Sequence, residues 1–264
     1  MTWLRRMSPF ILVSSILGFM MILFIIVPIF GAVTNSAGNI PSALTDTVAT
    51  NAIMTSFFCA LLATLLIFVI GIPLAYILSK HEFPGKKIVD SLIDLPILVP
   101  HNAAGLALLV ILGRTYPVGS FLSGFGISFQ DTIFGVVVAM AFVSSPFMIR
   151  SAQEAFSAVN PAMERSARSL GATNFGVFFH VTLPLGLKGI LTGCLLTWAR
   201  SVSEFGAVVV LAEIPMTAPV YLSNVLTTGG LNAALAVTGL LVIIAVVVLM
   251  IFRIATSKSA KLVF

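Results

Sequence analysis

Arg200 and Glu204 stand four residues apart inside the apolar run 185–212. At that spacing two opposite charges share one helix face and can pair. Charge within a bilayer is costly and normally faces a bundle interior or a wet cavity. Two readings follow: a buried pair that locks its helix to a neighbour, or one wall of a pathway, with Ser201 and Ser203 beside it, that meets a passing anion. The pair is neutral overall, which suits passage better than capture, because a tightly held ion leaves slowly. His101 and Asn102 follow Pro100 at the head of another apolar run. A lone histidine is a poor metal ligand. The roles left to this dipeptide are partners for backbone groups freed by the prolines, or the inner end of a pathway. No His-Glu-x-x-His occurs, and no serine has a basic partner at catalytic spacing, so neither catalytic nor metal-binding residues are expected. Cys59 and Cys194 both lie in apolar runs and read as small buried hydrophobes.

A second stretch has a different design. In residues 160–173, Asn160 is a good N-cap and Pro161 a good first helical residue. Met163, Ala167 and Leu170 then form one apolar stripe. Gly171 is the residue type that ends a helix in the left-handed conformation. Thr173 or Asn174 can cap a second short helix whose apolar face is Phe175, Phe178 and Phe179. The segment is either an amphipathic helix lying on lipid headgroups or a knob that inserts into a partner's groove.

The elements that must hold these residues are membrane helices. Of 264 residues 59% are hydrophobic and 9% charged, whereas soluble domains carry about 25% charged residues. The class is therefore all-α, a polytopic membrane protein. Six candidate spans occur at residues 9–30, 52–78, 97–113, 133–150, 185–212 and 233–252. The first has 22 residues without a charge, about 33 Å of helix. Although Arg5 and Arg6 precede it, its apolar stretch exceeds a signal-peptide core and no small-x-small cleavage site follows, so a retained helix is expected. The third begins between Pro96 and Pro100, which bend or break a helix.

With six spans, twelve of the 14 Lys and Arg fall on one side, among them Arg5, Arg6, Arg253, Lys258 and Lys261. Arg114 alone falls on the other side, and Arg200 lies within a span. The basic side is cytoplasmic by the positive-inside rule, which puts both termini there and the chain, multi-pass, in the cell membrane. Topology accounts for the net charge of +5, so no nucleic-acid partner is implied. Asp90 and Asp94 read as interfacial charges paired with Lys86 and Lys87. Residues 1–264 read as a single membrane domain, bathed in lipid, whose largest cytoplasmic connection spans about 151–184.

Residues 160–184 resemble the cytoplasmic docking loop of bacterial and archaeal ABC-importer permeases. That pattern is Glu-Ala-Ala, three residues, Gly, nine residues, Ile, one residue, Leu-Pro. Aligned on Gly171, the residues Ala167, Leu183 and Pro184 match, and Val181 stands for the isoleucine. Arg165 and Ser166 replace the Glu and the first Ala. Glu164 lies one position early, and the alignment leaves open whether it takes the acidic role. The resemblance implies that Met163, Glu164, Ala167, Leu170, Gly171, Phe175 and Pro184 build a coupling helix fitting a cleft on a separate ATPase. It further implies a homodimer of permeases around one pathway, two ATP-binding cassette subunits inside, and a substrate-binding protein outside. ATP and Mg would be held by those partners. This chain has no Gly-x-x-x-x-Gly-Lys-Ser/Thr loop, since Gly85-Lys86-Lys87 lacks the upstream glycine and the hydroxyl residue. It is therefore expected to be a transport subunit rather than an enzyme, without a cofactor of its own.

Two more stretches, Asp94 to Leu109 and Trp198 to Ala207, are similar to molybdate/tungstate permeases, with sulfate permeases as near relatives. With the docking loop, the resemblance covers residues 71–219. It implies an importer for tetrahedral oxyanions, molybdate or tungstate, working by alternating access; a sulfate/thiosulfate permease is the alternative. An ion-coupled secondary transporter would need carboxylates at the bilayer midplane, where only Glu204 qualifies, and would leave the docking segment unexplained.

Overall fold

The computed structural model of the chain describes residues 9–259; Arg5, Arg6 and Lys261, which carry part of the orientation argument, lie outside them. Long apolar runs leave backbone groups no partner but one another, so helix dominates. In chain order the helices are α1 (Pro9–Ser36), α2 (Ile40–Thr45), α3 (Thr47–Lys80), α4 (Lys86–Leu98), α5 (His101–Leu112), α6 (Pro117–Gly124), α7 (Ile133–Ser157) and α8 (Pro161–Ser169). Next, α9 (Asn174–Val177) runs through a π-helical turn (Phe178–Thr182) into α10 (Leu183–Val202). The last three are α11 (Gly206–Leu211), α12 (Ala218–Thr228) and α13 (Gly230–Ser259).

Among the described residues, five helical stretches are long and apolar enough to cross a membrane: α1, α3, α7, the continuous α9–α10, and α13. The third expected span, 97–113, is corrected. It is no straight helix: α4 and α5 meet at an angle of 113°. Pro96 is carried in the last turn of α4, whereas Pro100 forces the break. Val99 before it is extended, with φ −74° and ψ 130°, as the pyrrolidine ring requires of a preceding residue. The 12 residues of α5 reach only about 18 Å, short of a hydrocarbon core of about 30 Å. Six spans are reached only by counting the bent pair as one.

The fifth expected span, 185–212, is also redrawn. Its helix starts at Asn174, ends at Val202, and is separated from α11 by residues 203–205. Pro184 cannot donate to the carbonyl four residues back, and the helix widens into the π turn just ahead of it.

The described residues form two compact units. In the unit built from residues 51–221, α7 is central. Val136, Met140, Val143, Met148, Ala152 and Phe156 of this helix are core residues. Against it α10 presents small residues: a Cβ on Gly189 would stand 2.5 Å from Ala155 Cβ, and one on Gly193 2.9 Å from Ser151 Cβ. Small residues let helices approach where lipid provides no hydrophobic drive. In the other unit, residues 9–50 and 222–250, the apolar window of α1 has no residue buried within the chain. Its end is fixed where Ser36 abuts Gly239 of α13, a place that any side chain at 239 would occupy.

Candidate functional site

The break between α10 and α11 and the head of α5 together border an open cavity of about 340 Å³, lined by Pro100, His101, Asn102, Arg200, Ser203, Glu204, Phe205 and Gly206. His101 and Asn102 thus meet Arg200, Ser203 and Glu204 although the two stretches lie far apart in sequence. Backbones approach closely here. A Cβ on Gly206 would stand 2.5 Å from Asn102 Oδ1, and one on Gly105 2.8 Å from the Ala207 Cα. Neither glycine leaves room for a side chain, and that is what brings α5 against α11.

Ser201, expected beside them, is elsewhere. It is fully buried, and its Oγ lies 2.8 Å from Ser144 Oγ. Ser144 gives its proton to the Met140 carbonyl at 2.6 Å, so Ser201 is the donor of the pair. This residue ties α10 to α7 and does not line the cavity.

Arg200 Nη2 donates to Glu204 Oε2 at 2.7 Å and to His101 Nε2 at 2.9 Å. A guanidinium only donates, and the same Nη2 lies 3.4 Å from His101 Nδ1, so it sits against both ring nitrogens. Nδ1 in turn lies 3.8 Å from Glu204 Oε2. The Glu204 side chain is 1% exposed, and its other oxygen, Oε1, accepts the Ala207 N–H at 2.8 Å. That bond satisfies one of the open donors at the start of α11. The cluster joins an arginine, a glutamate and a histidine, with Ser203 and Asn102 as neutral polar neighbours.

The second set of expected residues gathers around α8. Asn160 Oδ1 accepts the Ala162 N–H at 2.9 Å, and Thr173 Oγ1 accepts the Gly176 N–H at 3.1 Å. Gly171 has φ +90°. Its N–H reaches the Arg168 carbonyl (2.9 Å), and the Ala172 N–H reaches that of Ala167 (3.0 Å), the paired closure of a Schellman motif. Met163, Leu170 and Phe175 point outward at 49%, 89% and 73% exposure. The three phenylalanines do not share a face, because Phe178 turns inward onto Tyr76 and Phe156 while Phe175 and Phe179 stay out.

Glu164 is buried. It accepts from Thr182 Oγ1 at 2.8 Å and pairs with Lys80 Nζ at 3.0 Å, with Arg168 Nη2 3.9 Å away. The acidic side chain one position early in the pattern therefore reaches an anchor at the end of α3. Pro184 lies at the head of α10, exposed. The expected pairing of Asp90 and Asp94 with Lys86 and Lys87 is corrected too. Both carboxylates bind Arg150 of α7, at 2.7 and 2.6 Å, while Lys86 pairs with Glu82. Arg150 is preferred because its planar fork holds Asp94 by two bonds at once.

Lys80, Thr182, Ser144 and Arg150 were not singled out from the sequence as partners. Each acts across helices, and a single sequence carries no register between helices. The one available signal was Lys80, a charge closing an apolar run of 27 residues, 52–78.

Residues 67–261 match the family described as binding-protein-dependent transport system inner membrane component. The molybdate/tungstate transport system permease protein WtpB of Pyrococcus furiosus is 36% identical over 240 residues, covering 90% of this chain and 91% of the relative. The sulfate transport system permease protein CysT of Synechocystis sp. is 35% identical over 241 residues, 88% of this chain and 84% of the relative. A bacterial ABC transporter involved in the import of the acidic polysaccharide alginate superimposes with a TM-score of 0.74. That match covers 94% of this chain and 96% of the other at 17% identity, a likeness of fold alone. The broken α4–α5 pair, the helices around it and these relatives agree: the chain belongs to the inner membrane components of binding-protein-dependent transport systems, the multi-pass permease subunits of ABC importers.

Proposed function

We propose that this permease moves tetrahedral oxyanions, molybdate or tungstate, by alternating access. The observation that carries the reading is the state of Arg200 in its cavity. Its cation is held by one carboxylate oxygen and the His101 ring, partners that a passing dianion can replace. Charge-assisted bonds to a guanidinium suit a tetrahedral oxyanion, and the opposite charges of Arg200 and Glu204 offset each other, which keeps the ion from being trapped. The relatives named for molybdate and tungstate support the choice of ion. The 35% identity to CysT supports sulfate as the second reading.

In this proposal the whole chain serves as one permease domain and two copies surround the pathway. Both termini and α8 face the cytoplasm, where two ATP-binding cassette subunits hold ATP and Mg. Met163, Leu170 and Phe175 enter the groove of an ATPase subunit. Ala167 and Gly171 shape the helix that presents them, Glu164 anchors it, and Pro184 starts the span that it moves. A binding protein delivers the oxyanion from outside. His101, Asn102, Ser203 and Glu204 line the pathway with Arg200.

The test uses the chain co-purified with its ATPase subunits in proteoliposomes, with binding protein loaded with molybdate, tungstate or sulfate. Stimulation of ATP hydrolysis by molybdate or tungstate, with sulfate weak, is the expected result. Arg200→Gln should lower oxyanion uptake about tenfold, the worth of one charge-assisted hydrogen bond. Stimulation by sulfate alone moves the assignment to the second reading, and stimulation by none of the three overturns it.

A further inference from the structure

A second cavity, of about 670 Å³, lies between α8 and the ends of α3 and α7. We infer that it is a binding site for a tetrahedral oxyanion group of the phosphate class, separate from the pathway around Arg200.

The argument is one of charge and of unused donors. Lys80, Arg165 and Arg168 all line this cavity, with Glu164 as its one carboxylate. Glu164 is already committed to Lys80 and Thr182. Lys80 has given two of its three N–H donors, to Glu164 Oε1 at 3.0 Å and to the Val159 carbonyl at 3.3 Å. Arg168 comes no nearer to Glu164 than 3.9 Å, too far for a hydrogen bond. Arg165 has no ion pair among the described residues. Two guanidinium forks on exposed residues and one ammonium N–H therefore border one space without a hydrogen-bond acceptor from the described residues, and Asn174 and Ser157 add neutral polar groups.

Like charges gathered around a cleft focus a positive potential that draws in an anion. Guanidinium forks bind along an edge of two oxygens. A tetrahedral oxyanion offers several such edges and can satisfy both forks, whereas a planar carboxylate offers one. The cavity is also distinct from the docking face, since Met163, Leu170 and Phe175 do not line it. An ion bound here would join α8 to the end of α3 beside the Lys80–Glu164 pair and stiffen that joint.

A free inorganic ion and a phospholipid headgroup present this same chemistry, and basic pockets between membrane helices take headgroups. The experiment separates them. The purified full chain in a maltoside detergent, which carries no phosphate, is titrated with radiolabelled inorganic phosphate. Saturable binding is expected, weakened at least about tenfold by Arg165→Gln with Arg168→Gln and retained by Arg200→Gln. Size-exclusion elution and thermal unfolding establish that the double variant is folded. Displacement by phosphatidylglycerol but not by phosphatidylcholine identifies a lipid headgroup as the occupant, and displacement by neither identifies a free ion. Binding that is absent, or equal in the wild type and the double variant, overturns the inference. So does binding abolished by adding the ATPase subunits, which would mean that an acidic surface of that partner fills the cavity. None of these outcomes depends on which ion the pathway carries.

Discussion

The carboxylate of Glu164 carries the joint between α8 and α3, with Lys80 at 3.0 Å and Thr182 at 2.8 Å. Glu164→Gln would keep an acceptor for Thr182 and remove the counter-charge of a nearly buried ammonium. Breaking a buried pair from one side costs about 3 kcal/mol. Thermal unfolding should show a lowered Tm, together with weaker ATPase stimulation; an unchanged Tm would show that the pair does not hold the joint. At this scale the sequence was readable where partners are local. Arg200 and Glu204 sit one helical turn apart, and their pairing follows from the spacing alone. Glu164 and Lys80, or Ser201 and Ser144, meet through packing that no spacing records. For that reason Ser201 was expected on the pathway and is found in a helix interface.

Helices show the same division. The start and end of α8 were legible from Asn160, Pro161 and Gly171, because each acts on its own backbone. Pro96 and Pro100 carry the same local signal, yet α4 holds Pro96 in its last turn and the chain breaks only at Pro100, where Val99 is extended. Two glycines test these elements against each other. Gly105 faces backbone, with Ala207 Cα 2.8 Å from its would-be Cβ, whereas Gly171 faces open space at φ +90°. Gly105→Ala should force α5 and α11 apart at about 1–3 kcal/mol and should lower transport as the cavity shifts. Gly171→Ala should cost only the left-handed conformation, about 1 kcal/mol. Thermal unfolding of both variants, with uptake measured alongside, checks the pair; equal uptake defects would count against a role for the α5–α11 approach in shaping the cavity.

For the whole molecule, composition carried the class and charge bias supplies an expected orientation, while the division into two units left no mark on the sequence. The orientation is open to direct measurement. In right-side-out vesicles a membrane-impermeant maleimide should label Ser123→Cys, in the connection after α5. It should label Ser166→Cys, on α8, only after the membrane is opened. Labelling of Ser166→Cys in sealed vesicles would reverse the assigned sides and remove α8 from reach of any cytoplasmic ATPase. Family membership leaves that assignment as an inference from charge, since a shared fold is the same whichever way the chain is threaded.

The two oxygens of Glu204 have different employment. One holds the first turn of α11 through the Ala207 N–H, and the other holds Arg200. In the proposed transport cycle, a guanidinium swinging toward an ion gives up only the second bond, and the helix terminus stays capped. On that proposal the moving part of the site is insulated from the fixed part, so a turnover need not dismantle and rebuild the wall of its own passage. A carboxamide has one acceptor where the carboxylate has two and cannot fill both posts.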